Sequence, residues 1–211
     1  MLLGMGAFAL TAQALLFRRY LQIFAGNEVG LGCFFVSWLL WLCAGALAGR
    51  WSRRWPPWML RHFPLLPLLY IPAFALQAWL IARARVWSGV EAYELFPLWR
   101  MLPMALVVNA PVSCLTGLLF PAACRWLAQA GVDAGVSRAY VWEAVGGGIG
   151  GVGVTLLLWA GMTELDVLLA AGALLTAAAA AYYRRVAHLA TAAVLVAAAA
   201  ASAVSGLGEA H

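Results

Sequence analysis

Apolar residues occur along this chain in long runs that are separated by short segments carrying arginine. The runs cover approximately residues 2–17, 29–48, 63–82, 101–128, 139–160 and 165–183, and an alanine-rich seventh run ends near residue 204. The first run can extend past Arg18 and Arg19 to residue 24. A transmembrane helix needs about 20 mostly apolar residues, roughly twice the length of a helix in a soluble core. The pattern therefore predicts an all-α, polytopic transmembrane helix bundle of six to seven spans.

The composition points to the same class of protein. Hydrophobic residues make up 65% of the chain and charged residues 10%, and a soluble domain of this length could not bury so much apolar surface. The thirteen basic residues are all arginine, and the formal net charge is +5. These arginines lie near the ends of the apolar runs, where they set topology, and do not form the basic face of a nucleic-acid-binding domain. We expect the lipid bilayer as a partner and no nucleic acid.

The distribution of arginine predicts the orientation in the membrane. Connections that retain basic residues lie preferentially in the cytoplasm. The connections after runs two, four and six carry more arginine than the others, namely Arg50, Arg53, Arg54, Arg61, Arg125, Arg138, Arg184 and Arg185. We therefore expect a multi-pass protein of a bacterial inner (plasma) membrane with a cytoplasmic N-terminus. Residues 1–204 are interpreted as one transmembrane domain, and the tail 205–211 as a point of truncation.

Glu143 is an acidic residue inside the fifth apolar run. A 3.6-residue period places it on one helical face with three glycines, Gly147, Gly150 and Gly151. The stretch 146–151, with the sequence GGGIGG, matches the G-x-G-x-x-G dinucleotide fingerprint, but that fingerprint requires a preceding strand, and small residues four apart in a span instead predict close helix packing. An ionisable side chain on such a face is a functional-site hypothesis. A structural ion pair with Arg125 or Arg138 is the alternative.

The fourth run contains two prolines, Pro111 and Pro121. Each removes a backbone donor and clashes with the carbonyl four residues earlier, so we expect a kink or break that frees the carbonyls of Val107 and Gly117. Interrupted helices near the middle of the membrane form substrate sites in transporters. A kinked packing helix, whose hydroxyl groups satisfy its own backbone, is the alternative.

Several polar residues lie within the apolar runs. Together with Glu143 they could line a cavity for a small solute: Gln13, Gln77, Asn109 and Ser113. A carboxylate in such a cavity would act as the counter-charge of a cation, whereas isolated amides would simply form interhelical hydrogen bonds. The sequence contains no Ser/His/Asp set and no cysteine or histidine spacing typical of a metal site. We therefore expect no catalytic residue, no metal and no cofactor in this chain.

Four stretches resemble the membrane domain of the fused spermidine synthase-like proteins. They are residues 4–13 with the arginines that follow, residues 45–50 with the sequence GALAGR, residues 116–125 with TGLLFPAACR, and residues 139–151 with AYVWEAVGGGIGG. The resemblance implies half of a major facilitator fold and an associated or fused soluble domain as a partner. These 211 residues contain no counterpart of the family's aminopropyltransferase domain, so the resemblance implies no synthase activity here.

Two functions are open at this point. The first is a transporter-like membrane module of the spermidine synthase-like family, which binds or passes a small solute such as a polyamine or another cation. The alternative is a non-transporting membrane anchor or scaffold for a synthase or redox partner, which would dock on the glycine face of the fifth run. Glu143 would be essential for the first function and dispensable for the second.

Overall fold

The computed structural model of the protein describes residues 1–24, 26–91, 94–131 and 135–182. Within these ranges the chain is helical and contains no strand. Two 3₁₀ segments, Arg50–Arg54 and Phe63–Leu69, precede α3 and α4. The helices in chain order are α1 (Leu2–Ile23), α2 (Glu28–Gly49), α3 (Pro57–Arg61), α4 (Tyr70–Trp87), α5 (Leu98–Val108), α6 (Ala110–Gln129), α7 (Gly135–Trp159) and α8 (Glu164–Tyr182).

Five segments of the described chain are long and apolar enough to cross a membrane: Glu28–Gly49, Phe63–Trp87, Ala110–Gln129, Gly135–Trp159 and Glu164–Tyr182. They support the predicted class, an all-helical multi-pass membrane protein. Helix α1 has the same length as α2, 22 residues, but Gln13, Arg18 and Arg19 make it less apolar. The seventh apolar run and the tail 205–211 lie outside the described residues, so the count of six to seven spans stays a prediction.

The helices begin and end at local sequence signals. The side chain of Asn27 accepts a hydrogen bond from the amide of Gly30 at 2.6 Å and so caps the start of α2. At the start of α8, Thr163 and Asp166 bond each other's backbone amides at 3.2 and 3.0 Å, the reciprocal arrangement of a capping box. Gly161 follows α7 with a φ of +83°, which a residue with a Cβ atom would adopt only under strain.

The fourth apolar run forms two helices and is not one continuous span. Helices α5 and α6 meet at Asn109, which ends the first and precedes the second. The interruption thus lies two residues before Pro111, and Pro111 belongs to the first turn of α6. A proline fits the first turn of a helix, where its missing N–H group is not needed. At Pro121, where we also expected a kink or break, α6 continues as one helix.

Helices α1 and α7 approach each other so closely that glycine is required at the contact. A Cβ atom at any of three positions would overlap a backbone carbonyl oxygen of the other helix: Gly146 against Leu3, Gly150 against Ala7, and Gly6 against Glu143. The contacts advance in the same direction along both helices, so α1 and α7 are parallel. Close backbone approach of this kind maximises van der Waals contact between helices in a bilayer.

Helices α2 and α6 form a second pair of the same kind. A Cβ atom on Gly45 would overlap the carbonyl oxygen of Cys114, and one on Gly117 would overlap that of Leu42. Further along, Gly49 lies against Pro121, so these two helices are also parallel. The bundle thus contains two parallel, glycine-packed pairs, α1–α7 and α2–α6.

The ends of the helices define two ends of the bundle. At the first, which we call the Glu164 end, Glu164 at the start of α8 forms an ion pair with Arg19 of α1 at 3.0 Å. At the second, which we call the Trp126 end, the ring of Trp126 in α6 lies 5.4 Å from that of Tyr182 in α8. Indole and phenol rings are typical of the boundary between membrane and water.

Candidate functional site

A cavity of about 190 Å³ lies between the two glycine-packed pairs. Its walls come from α1, α2, α4, α6 and α7. Most of the lining is apolar, and the aromatic part consists of Phe34 and Trp38. The polar part is contributed by five side chains: Gln13, Gln77, Ser113, Thr116 and Glu143.

Four of the five residues predicted to line a solute site do line this cavity. Gln13 comes from α1, Gln77 from α4, Ser113 from α6 and Glu143 from α7. The fifth, Asn109, is not among the lining residues. It is fully buried, with 0% exposure, and it contacts two lining residues, Gln77 and Phe34. The structure thus brings the four polar residues together and gives Asn109 a supporting position.

Asn109 is the centre of a buried hydrogen-bond network. Its side-chain oxygen accepts from Nε2 of Gln77 at 3.1 Å. Its side-chain nitrogen donates to Oγ of Ser37 at 2.7 Å and lies 3.4 Å from the carbonyl oxygen of Phe34. The hydroxyl of Ser37 in turn donates to that same carbonyl at 2.9 Å. The network joins α2, α4 and the junction of α5 and α6, where unsatisfied polar groups would be costly in a bilayer.

The interruption at Asn109 also determines what Gln77 binds. The first amide groups of a helix have no partner within that helix. The amide of Val112, in the first turn of α6, instead donates to Oε1 of Gln77 at 3.0 Å. Both ends of the Gln77 side chain are therefore bonded to the chain itself, and its orientation in the cavity wall is fixed.

Thr116 is held in a similar way one helical turn further along α6. Its hydroxyl donates to the carbonyl of Val112 at 2.8 Å and accepts from the hydroxyl of Tyr70 at 3.1 Å. Such back-bonding to the preceding turn is a usual way for a threonine in a membrane helix to satisfy its hydroxyl. Thr116 therefore contributes a polar surface that is already engaged with the protein.

Glu143 lines the cavity and has no counter-charge among the described residues. Among the residues that the structure describes, it forms no ion pair, and neither Arg125 nor Arg138 lies within ion-pair distance. The structural ion pair considered as an alternative is therefore not formed in this structure. The backbone of Glu143 is fixed in place, because its carbonyl oxygen lies directly against Gly6 of α1.

The glycines predicted to pack helices all lie along α1. Gly150 is in backbone contact with Ala7, whereas the nearest atoms to a Cβ on Gly147 would be at ordinary contact distance, 3.9 Å. A Cβ on Gly151 would lie 2.9 Å from Cδ2 of Leu10, the mobile end of a side chain. Gly147 also lines the cavity. Of these three glycines, Gly150 is thus the one in backbone contact with α1.

Sequence reasoning missed Phe34, Trp38 and Thr116 as lining residues. Thr116 could have been predicted from the sequence, because it lies three residues after Ser113 and so on the same face of α6. Phe34 and Trp38 could not have been predicted in this way, since aromatic side chains in a span face lipid, protein or a cavity alike. In the described part of the chain, no group of three His, Cys, Asp or Glu side chains is placed to hold a metal ion.

The fold and the cavity define the class of protein: a multi-pass helical membrane protein with a partly polar cavity between its helices. Comparison of the chain with family models, with curated proteins and with solved structures gave no match.

Proposed function

We propose that this chain is a transporter-like membrane module that binds a small solute in the cavity between its two glycine-packed helix pairs. The observation that carries the proposal is the Glu143 carboxylate, which lines the cavity and has no ion-pair partner among the described residues. Ionisable groups within spans are costly, face protein or water-filled space, and characteristically serve ion or substrate pathways. The solute would supply the missing counter-charge.

The directions of the helices support a six-span arrangement. If α1, α2, α4, the α5–α6 unit, α7 and α8 each cross the membrane in turn, α1 and α7 must point the same way. Helices α2 and α6 must then both point the opposite way. The glycine contacts give parallel directions for both pairs, as this arrangement requires. We propose on this basis that the module corresponds to half of a major facilitator fold, with the α5–α6 unit as an interrupted fourth span.

The arginine distribution extends the proposal to orientation and family. We assign the Trp126 end to the cytoplasm of a bacterial inner membrane, because the connections at that end carry the larger share of arginine. The proposed family is that of the fused spermidine synthase-like proteins, with an associated or fused soluble domain as the partner. Two of the stretches that carry the resemblance, residues 116–125 and 139–151, include three lining residues of the cavity, Thr116, Glu143 and Gly147.

The scaffold hypothesis assigns the glycine face of α7 to a partner protein. Within this chain, however, that face packs along α1, since Gly146 and Gly150 lie against the backbone of Leu3 and Ala7. The glycines are thus used for internal packing, which favours the solute-binding function over the scaffold.

The proposal is tested by ligand-dependent thermal stability of the full chain purified in detergent. A ligand that binds only the folded state stabilises it by about 2.7 kcal/mol at 100 times its Kd. The panel comprises polyamines, simple amines, nucleosides and quinones. We expect a cationic member to stabilise the protein, and Glu143→Gln to weaken that binding about tenfold or more, as loss of a charged hydrogen bond implies.

Glu28→Gln provides the matched control, because Glu28 is an exposed acid at the start of α2, outside the cavity. Circular dichroism establishes that both variants are folded. Unchanged affinity in Glu143→Gln, with a bound ligand identified, would overturn the role of the carboxylate. The absence of stabilisation by any class in the panel would count against solute binding itself.

A further inference from the structure

We propose that the solute is a primary amine with a single positive charge and an apolar body, and not a polyamine. This inference rests on the proposed function, since it assigns the class of ligand that the same cavity binds. It follows from the number of carboxylates, from the number of acceptors without partners, and from the nature of the remaining walls.

The cavity can neutralise only one positive charge. Glu143 is the one acidic residue among those that line it, all of which belong to the described chain. A polyamine carries several ammonium groups, and all but one would enter the cavity without a counter-charge. Because charges inside a membrane protein require pairing or hydration, a multiply charged ligand is disfavoured against a singly charged one.

The acceptors that remain available match one primary ammonium group. Gln77 and Thr116 are engaged in the bonds described above. Gln13 and Ser113, in contrast, make no hydrogen bond to the described residues. With the Glu143 carboxylate, the cavity therefore offers three acceptor groups that have no partner among the described residues. A primary ammonium presents three N–H donors.

The other walls of the cavity suit an apolar body beside a cation. Leu10, Leu16 and Val112 contribute aliphatic surface, and Phe34 and Trp38 contribute aromatic rings. Aromatic faces attract ammonium groups, and indole does so most strongly. The cavity volume of about 190 Å³ is below the roughly 300–1,000 Å³ of pockets for drug-sized ligands. A compact arylalkyl amine fits this combination of size, charge and surface.

The test compares four probes on the full chain in lipid nanodiscs by isothermal titration calorimetry. Phenethylamine carries the proposed features, its N,N,N-trimethyl analogue keeps the charge but has no N–H donor, 2-phenylethanol has no charge, and spermidine has several charges. We expect phenethylamine to bind about tenfold or more tightly than each of the others, as loss of a charged hydrogen bond or of the charge implies.

Ser113→Ala provides a second, conservative test, because it removes one unpartnered hydroxyl from a helix that otherwise stays intact. We expect it to weaken phenethylamine binding several-fold and to leave binding of the trimethyl analogue unchanged. Thr155→Ala is the matched control, since the Thr155 hydroxyl bonds the Gly151 carbonyl of its own helix outside the cavity.

The outcomes separate this inference from the function on which it rests. Tighter binding of spermidine than of phenethylamine, with loss in Glu143→Gln, would overturn the monoamine class and retain the solute site. Equal binding of phenethylamine and its trimethyl analogue would overturn the three-acceptor arrangement. Binding of 2-phenylethanol as tight as that of phenethylamine would overturn the role of charge. If none of these probes binds, and no ligand of the thermal-stability panel stabilises the protein, the proposed function itself fails.

Discussion

Replacing Gly146 by alanine should push α1 and α7 apart, because Gly146 lies directly against the backbone of α1. The added Cβ would overlap the carbonyl oxygen of Leu3 and would lie 2.8 Å from its carbonyl carbon and 2.9 Å from its Cα. Ordinary contact begins at 3.4 Å. All three obstructing atoms belong to backbone, which cannot rotate away as a side chain can. The helices must therefore move apart, or one of them must shift along the other.

The expected loss of stability combines two opposing effects. Overpacking a close contact costs about 1–3 kcal/mol, while replacing a helical glycine by alanine contributes about 0.5–1 kcal/mol through backbone entropy. The second effect cancels when Gly146→Ala is compared with Gly148→Ala. Gly148 lies in the same helix, and a Cβ there would meet open space. We therefore expect Gly146→Ala to be less stable than Gly148→Ala by the full overpacking cost, about 1–3 kcal/mol.

The measurement is SDS-induced unfolding in mild detergent micelles, followed by circular dichroism. The wild-type chain and both alanine variants are titrated under identical conditions, and the free energies of unfolding are compared at one SDS fraction. We expect Gly148→Ala to equal or slightly exceed the wild type. A Gly146→Ala protein as stable as Gly148→Ala would refute the backbone contact between α1 and α7.

Two further predictions use the same titration. Gly45→Ala in α2 should be less stable than Gly32→Ala in the same helix by about 1–3 kcal/mol, because only the first places a Cβ against a backbone carbonyl of α6; equal stability would contradict the second helix pair. Asn109→Ala should lower the free energy of unfolding by about 1–3 kcal/mol, because it leaves Nε2 of Gln77 without its acceptor and removes the bond that Asn109 donates to Ser37. Wild-type stability in this variant would contradict the buried network.

Much of the helical layout could be predicted from the sequence, because span length and flanking arginines are local properties. The division of the fourth run was anticipated only in part. Pro111 correctly indicated an interruption, but the new helix begins at Ala110, so that Pro111 lies in its first turn. Pro121, with the same local chemistry, lies within a continuous helix. Whether a proline ends a helix depends on which neighbouring groups satisfy the backbone, and those groups come from other helices.

The candidate site was predicted as a set of residues but not as an arrangement. Polar side chains within apolar runs are visible in any sequence, and four of them prove to line one cavity. Their convergence depends on pairings that are remote along the chain: Gln77 bonds Asn109, 32 residues away, and Thr11 bonds the carbonyl of Gly150, 139 residues away. Periodicity within one helix carries no information about such pairings.

The same glycine contacts that stabilise the bundle also determine where the carboxylate lies. The Glu143 carbonyl oxygen rests against Gly6 at the α1–α7 contact, and both residues line the cavity. A binding group held by packed backbone on a helix is placed more accurately than one on a loop. Loosening the α1–α7 pair at Gly146 should therefore weaken ligand binding as well as the fold. Substitution at Gly148, on the open face of α7, should affect neither.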